Sequence, residues 1–96
     1  MKFVQIIEIK TSRFDDLKAL HKQWLKDTEG IRTTTSEWIC EDRDNRGTYL
    51  IIVEFPSYEA AMANNDLPAT NRISEGITSL ADEPPIFRNL DLVIAV

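Results

Sequence analysis

Apolar residues recur along this chain with two different periods. Residues 2 to 9, 34 to 42, 48 to 55 and 86 to 96 are rich in β-branched and aromatic side chains, as strands are. From Thr11 to Gly30 the spacing becomes that of an amphipathic helix. At about 100° per residue, Phe14, Leu17, Trp24, Leu25 and Thr28 share one arc, and His21 lies within it. Asp15, Lys18, Lys22, Lys26 and Asp27 fall outside that arc. Thr11 or Ser12 is placed to cap this helix, Asp15 and Asp16 complement its dipole, and Gly30 suits the left-handed position beyond its end.

Arg43-Asp44-Asn45-Arg46-Gly47 is a turn cluster, so the second and third strands form a hairpin. Pro56-Ser57 ends the third strand, and Ser57 caps a short helix from Tyr58 to Asn64. After a break at Asn64-Asn65-Asp66, Pro68 takes a first-turn position, and Ala69, Ile73, Ile77 and Leu80 form a second helical stripe. Gly76 within it costs about 1 kcal/mol relative to alanine and marks close packing or a local irregularity. Asp82-Glu83-Pro84-Pro85 is an extended connector to the last strand.

The order β-α-β-β-α-β predicts an α+β, ferredoxin-like sandwich, with a four-stranded antiparallel sheet in the order 4-1-3-2 and the helices on one face. Both sheet faces are apolar. Even positions carry Val4, Ile6, Leu50, Ile52, Leu90, Leu92 and Ile94, and odd positions carry Phe3, Ile7, Ile9, Tyr49, Ile51, Val53, Phe55, Phe87 and Val93. Helices cover one face only, so the pattern calls for a homodimer that packs sheet against sheet. In antiparallel register Glu8 opposes Arg88 and Lys2 meets Glu54, all on the even face, which marks that face as the dimer face framed by charge pairs.

Composition narrows the partners. Ninety-six residues make one domain, 1–96. A net charge of −5 and a pI near 4.7 argue against nucleic acid and anionic membrane. No apolar run approaches the roughly 20 residues of a membrane span, and no signal-peptide pattern opens the chain, so a cytoplasmic protein is expected. Cys40, the one cysteine, has no disulfide partner, no metal-ligand spacing with His21 and no base in its strand; it reads as a buried structural thiol. There is no phosphate-binding glycine loop, no Ser-His-Asp motif and no metal set, so no cofactor is called for.

The strand Phe3 to Ile9, the hairpin Trp38 to Phe55 running into Pro56-Ser57-Tyr58-Glu59-Ala60-Ala61, the Asn64 to Pro68 break and Asp82-Glu83-Pro84-Pro85-Ile86-Phe87 together resemble the dimeric α+β barrel superfamily. The chain is similar in particular to small proteins of the antibiotic-biosynthesis-monooxygenase (ABM) type. The resemblance covers nearly the whole chain and is one of organisation rather than of a catalytic motif. It implies a ligand cleft between helices and sheet, and a range of activities from cofactor-free monooxygenases to isomerases. The haem-degrading branch uses a histidine on the second helix, whereas the one histidine here is on the first.

Candidate chemistry gathers on the odd face. His21 points toward the sheet, as do Gln5, Asn89 and Asp91, and the register that pairs Glu8 with Arg88 sets Gln5 opposite Asp91. Such a set in an aromatic layer binds or deprotonates a phenol or enol, with His21 as general base. The competing reading is that His21 only satisfies the core by donating to a neighbouring carbonyl or carboxylate. Trp24 and Trp38 either line an aromatic pocket or supply core area, and for Trp38 the dimer face competes. Two functions remain. One is a homodimer binding a small apolar or aromatic molecule in a helix-sheet cleft, with cofactor-independent monooxygenase-like or isomerase-like chemistry. The other is a non-catalytic dimerisation or ligand-sensing module.

Overall fold

The computed structural model describes all 96 residues. Strand β1 (Phe3–Lys10) leads into helix α1 (Phe14–Asp27), the hairpin β2 (Ser36–Glu41) and β3 (Thr48–Phe55), two consecutive helices α2 (Tyr58–Asn65) and α3 (Pro68–Leu80), and finally β4 (Ile86–Asp91). The four strands form one antiparallel sheet in the order β2-β3-β1-β4, which is the expected 4-1-3-2 read from the other edge. The break at Asp66 makes the second helical region two helices, so the order is βαββααβ.

The helices cover the odd face. Phe3, Ile9, Ile51, Val53 and Phe55 are buried there with Leu17 of α1, Ala61 of α2 and Ile77 and Leu80 of α3. On the even face Val4, Ile6, Leu50 and Ile52 stay half-buried, Trp38 is 52% exposed and Leu90 is 42% exposed. The two framing ion pairs are present, Lys2 Nζ to Glu54 Oε1 at 3.3 Å and Arg88 Nη1 to Glu8 Oε1 at 3.3 Å. Cys40 lies on this face and is exposed, not the buried thiol expected.

Other expectations are corrected locally. The α1 cap is Arg13, with no side-chain hydrogen bond to the first turn. Thr11 instead accepts from Arg13 N at 3.0 Å and donates its hydroxyl to Leu80 O at 2.8 Å, fastening the start of α1 to the end of α3. Gly30 does take the left-handed conformation, φ +78°, three residues beyond the helix. Ser57 caps α2 by accepting from Ala60 N at 3.1 Å. The second strand starts later than residue 34 because Thr33 is drawn to α2, its hydroxyl donating to Ala60 O at 2.6 Å and its N–H to Asn64 Oδ1 at 3.3 Å.

The last strand stops at Asp91 rather than Val96. Its neighbour β1 begins at Phe3, so little backbone is left to pair; Leu92 N still donates to Lys2 O at 2.9 Å, and Val93, Ile94 and Val96 are exposed. The β1–β4 register also differs by two residues from the expected one. Glu8 lies across from Ile86 and Gln5 across from Asn89, while Asp91 pairs with Phe3. A shift of two keeps every side chain on its face, so Arg88 still reaches Glu8, diagonally. Gly76 is the point of closest approach between α1 and α3: a Cβ there would lie 2.5 Å from Leu20 Cδ1.

Candidate functional site

Leu17, His21 and Trp24 fall at positions i, i+4 and i+7 of α1, on the stripe that meets the sheet. Leu17 is fully buried and Trp24 nearly so. Below them, odd positions of the sheet supply Gln5 and Ile7 from β1, Glu37 and Ile39 from β2, and Ile51 and Val53 from β3. His21 Nε2 is hydrogen-bonded to a Glu37 carboxylate oxygen, and both side chains are largely buried, 23% and 15% exposed. A carboxylate only accepts, so in the neutral imidazole the ring proton sits on Nε2 and Nδ1 keeps its lone pair. His21 thus both bonds a carboxylate and lines a cavity.

That cavity measures about 70 Å³. Trp24 forms one wall, its ring tilted 29° from the His21 ring at 5.9 Å between centroids, and its indole N–H donates to Thr70 Oγ1 at 3.0 Å. Asn64 and Asn65, at the end of α2, and Thr70, on α3, complete the polar lining. Asn64 is committed to Thr33 through its oxygen, while the Asn65 side chain makes no intramolecular hydrogen bond. A second chamber of about 210 Å³ adjoins the first between α3 and the β1–β4 side of the sheet. It shares Gln5, Asn65 and Thr70 with the inner chamber and adds Asn71, Ser74 and Phe87. Together the chambers fall at or below the lower end of the roughly 300–1,000 Å³ typical of small-molecule sites. A single ring with its substituents is the matching scale.

Of the residues singled out from sequence, His21, Trp24 and Gln5 converge on the inner chamber. Asn89 stands one step back, accepting from Gln5 Nε2 at 3.2 Å. Asp91, at the exposed end of β4 opposite Phe3, is not beside Gln5. Trp38 projects from the even face, away from the cleft. Glu37 and Thr70 had not been singled out, whereas Asn65 belongs to the Asn64-Asn65-Asp66 break, which the sequence offers either as polar contacts at a cleft mouth or as plain turn composition. Parity alone points Glu37 inward, since it alternates with Trp38 and shares the odd face with Ile39. Asn65 and Thr70 flank the helix break, where composition alone reads as a turn.

Four groups with displaced ionisation lie outside the cleft. Glu54 is held below the usual carboxylate range by the Thr35 hydroxyl and by Lys2. Glu41 is lowered by the Gly47 backbone N–H and by Arg46, and Asp42 by the Asp44 backbone N–H and Asn45. Loss of solvent and the neighbouring Glu41 charge push the Tyr49 phenol up.

Solved structures match this architecture over almost its full length. An antibiotic biosynthesis monooxygenase superposes with TM-score 0.77 at 17% identity, covering 98% of this chain and 100% of its own. SnoaB, a cofactor-independent oxygenase from Streptomyces nogalater solved as a variant, gives 0.83 at 7% identity, covering 99% and 96%. The fold is ABM-like. A Mycobacterium tuberculosis protein shares this ABM-like fold as well, with TM-score 0.80 at 17% identity, covering 99% and 98%. No family model and no curated protein matches the sequence.

Within that ABM-like frame the site has a definite chemical capacity. An imidazole whose Nε2 is tied to a carboxylate is oriented and held in one tautomer, and the carboxylate stabilises the imidazolium formed when Nδ1 takes a proton. No helix is long and apolar enough to cross a membrane.

Proposed function

We propose that the protein acts as a homodimer whose protomers each bind a small apolar or aromatic molecule in the helix-sheet cleft, with His21 as general base in cofactor-independent, monooxygenase-like chemistry. The observation that carries the proposal is the His21–Glu37 pair at the wall of a mainly apolar chamber. Removing the proton from a bound phenol or enol leaves an electron-rich carbon framework that dioxygen can oxidise. In a CH2-to-ketone conversion, one oxygen atom becomes the new carbonyl and the other leaves as water, with the substrate supplying the electrons. Stopping at proton transfer and returning the proton to another atom gives isomerase-like chemistry from the same base. Trp24, Gln5, Asn65 and Thr70 bind the ring and its substituents, and Asn89 supports Gln5.

The homodimer follows from the even face, where Trp38 and Leu90 stand exposed between the two ion pairs and a second copy supplies a matching surface. The inner chamber's small volume favours a second reading, a non-catalytic ligand-sensing module built on the same cleft.

The test begins with neutral one- and two-ring phenols and enols, followed at the imidazole resonances of His21, the chain's one histidine, and by ligand-observed NMR, which serves His21→Ala as well. Oxygen uptake and product formation are then measured with those that bind. His21→Ala is expected to lower turnover by about 100-fold or more, the usual weight of a general base, while a binder's affinity stays within about tenfold. Binding without turnover in the wild type selects the sensing module, and binding by no compound refutes the cleft as a ligand site.

A further inference from the structure

The charges around the cleft go further than its shape and, resting on the reading of the cleft as a ligand site, name the class of ligand. The inner chamber is lined by one carboxylate, Glu37, and by no lysine or arginine; the second, outer chamber is lined by no charged residue at all. Arg32, which stacks over Trp24 at 5.8 Å, is tied to Leu25 O at 2.9 Å and faces the outer surface groove with Lys22 and Lys26. It does not line either chamber. We infer that the cleft selects neutral or cationic single-ring molecules bearing a weakly acidic O–H, and rejects carboxylates and phosphates, with Glu37 as the specificity-determining residue.

The physical reason is a double cost to an anion. It would lose its hydration on entering chambers whose lining is mainly apolar, with amides, hydroxyls and the carboxylate-bound His21 imidazole as other polar groups and no lysine or arginine to replace the water. It would also meet the Glu37 carboxylate, which no lysine or arginine of the lining offsets. A neutral ligand avoids both costs. Its O–H can be offered to His21 Nδ1, while a carbonyl or amide at the other end meets the unpartnered Asn65 amide and the Thr70 hydroxyl, which donates nothing within the protein.

Isosteric probes isolate charge from size. 4-Hydroxybenzamide, 4-hydroxybenzoate and the protonated 4-(aminomethyl)phenol share a phenol and one ring, and near pH 7 they are neutral, anionic and cationic. Each is titrated into the full chain while the His21 imidazole resonances are followed. The amide and the amine are expected to bind at least about tenfold more tightly than the benzoate, as a nearby like charge in a partly desolvated site requires. In Glu37→Gln, which keeps the side chain's size, the benzoate is expected to gain and the difference to shrink below about threefold. Equal binding of amide and benzoate to the wild type overturns the charge selection while leaving the cleft a ligand site. So does a difference that Glu37→Gln leaves unchanged. Should Glu37→Gln fail to fold, the wild-type ranking decides: an amine weaker than the amide by tenfold overturns the inference. If no probe moves His21, the underlying reading of the cleft falls with it.

Discussion

Replacing Trp38 with glutamate separates assembly from folding. Trp38 sits on the even face with 52% of its surface exposed in the protomer. A tryptophan offers roughly 150–250 Å² for burial, so on the order of 100 Å² remains to be covered by a second copy. At about 25 cal/mol per Å² this is ~2.5 kcal/mol for each ring, and a two-fold interface counts it twice, giving ~5 kcal/mol. That corresponds to a rise in dimer dissociation constant on the order of a thousandfold or more, before repulsion between the introduced carboxylates is added. The half of the ring already resting on its own sheet limits the protomer's own loss to about 2.5 kcal/mol. Sedimentation velocity across a concentration series, with far-UV circular dichroism as a folding check, reads both quantities. Wild-type chain should run at twice its 11.0 kDa mass and Trp38→Glu as a folded single chain. A wild type that stays at 11.0 kDa, or a Trp38→Glu variant that dimerises as tightly as wild type, refutes the assignment of the even face.

Two further outcomes concern the fold itself. Gly76→Val should destabilise by about 1–3 kcal/mol in urea unfolding, because the new side chain enters space held by Leu20; an unchanged midpoint would show that α1 and α3 separate freely. Glu41, Asp42 and Glu54 are all held below the ordinary carboxylate range, so the folded state binds fewer protons than the unfolded one. Their contribution is complete above the unfolded range and is lost as pH falls through the folded values. Thermal midpoints should therefore drop on acidification below about pH 5, and Glu54→Gln should flatten that drop.

Period and parity made most of the fold legible. The alternation in β1 and β3 located the core face, the arc through Leu17, His21 and Trp24 located the helix face above it, and Ser57 marked a capped helix start. Register was harder. Glu8 and Arg88 attract each other, but a direct pairing and a diagonal one two residues away both satisfy them, and only the backbone ladder distinguishes these. Helix capping failed at Thr11 because the helix starts later, at Phe14: the Thr11 oxygen accepts from Arg13 N, short of the first turn, while its hydroxyl donates to Leu80 O. Within the site, the stripe on α1 was readable because it is local. The partner of His21 was not, since Glu37 lies sixteen residues on in another element. Its inward orientation follows from parity, but its distance from His21 depends on how the helix lies across the sheet.

The central position of β1 has a consequence for how the molecule comes into being. This first strand is flanked by β3 on one side and β4 on the other, and its Gln5–Asn89 bond joins residues 84 positions apart. During synthesis β1 emerges with both edges bare, and its second edge is closed only once β4 is available. Such distant pairings slow folding relative to helical bundles. The β1–β4 wall beside the cleft thus rests on the most distant pairing in the sheet, and a chain truncated within β4 loses both the sheet's final edge and the support behind Gln5.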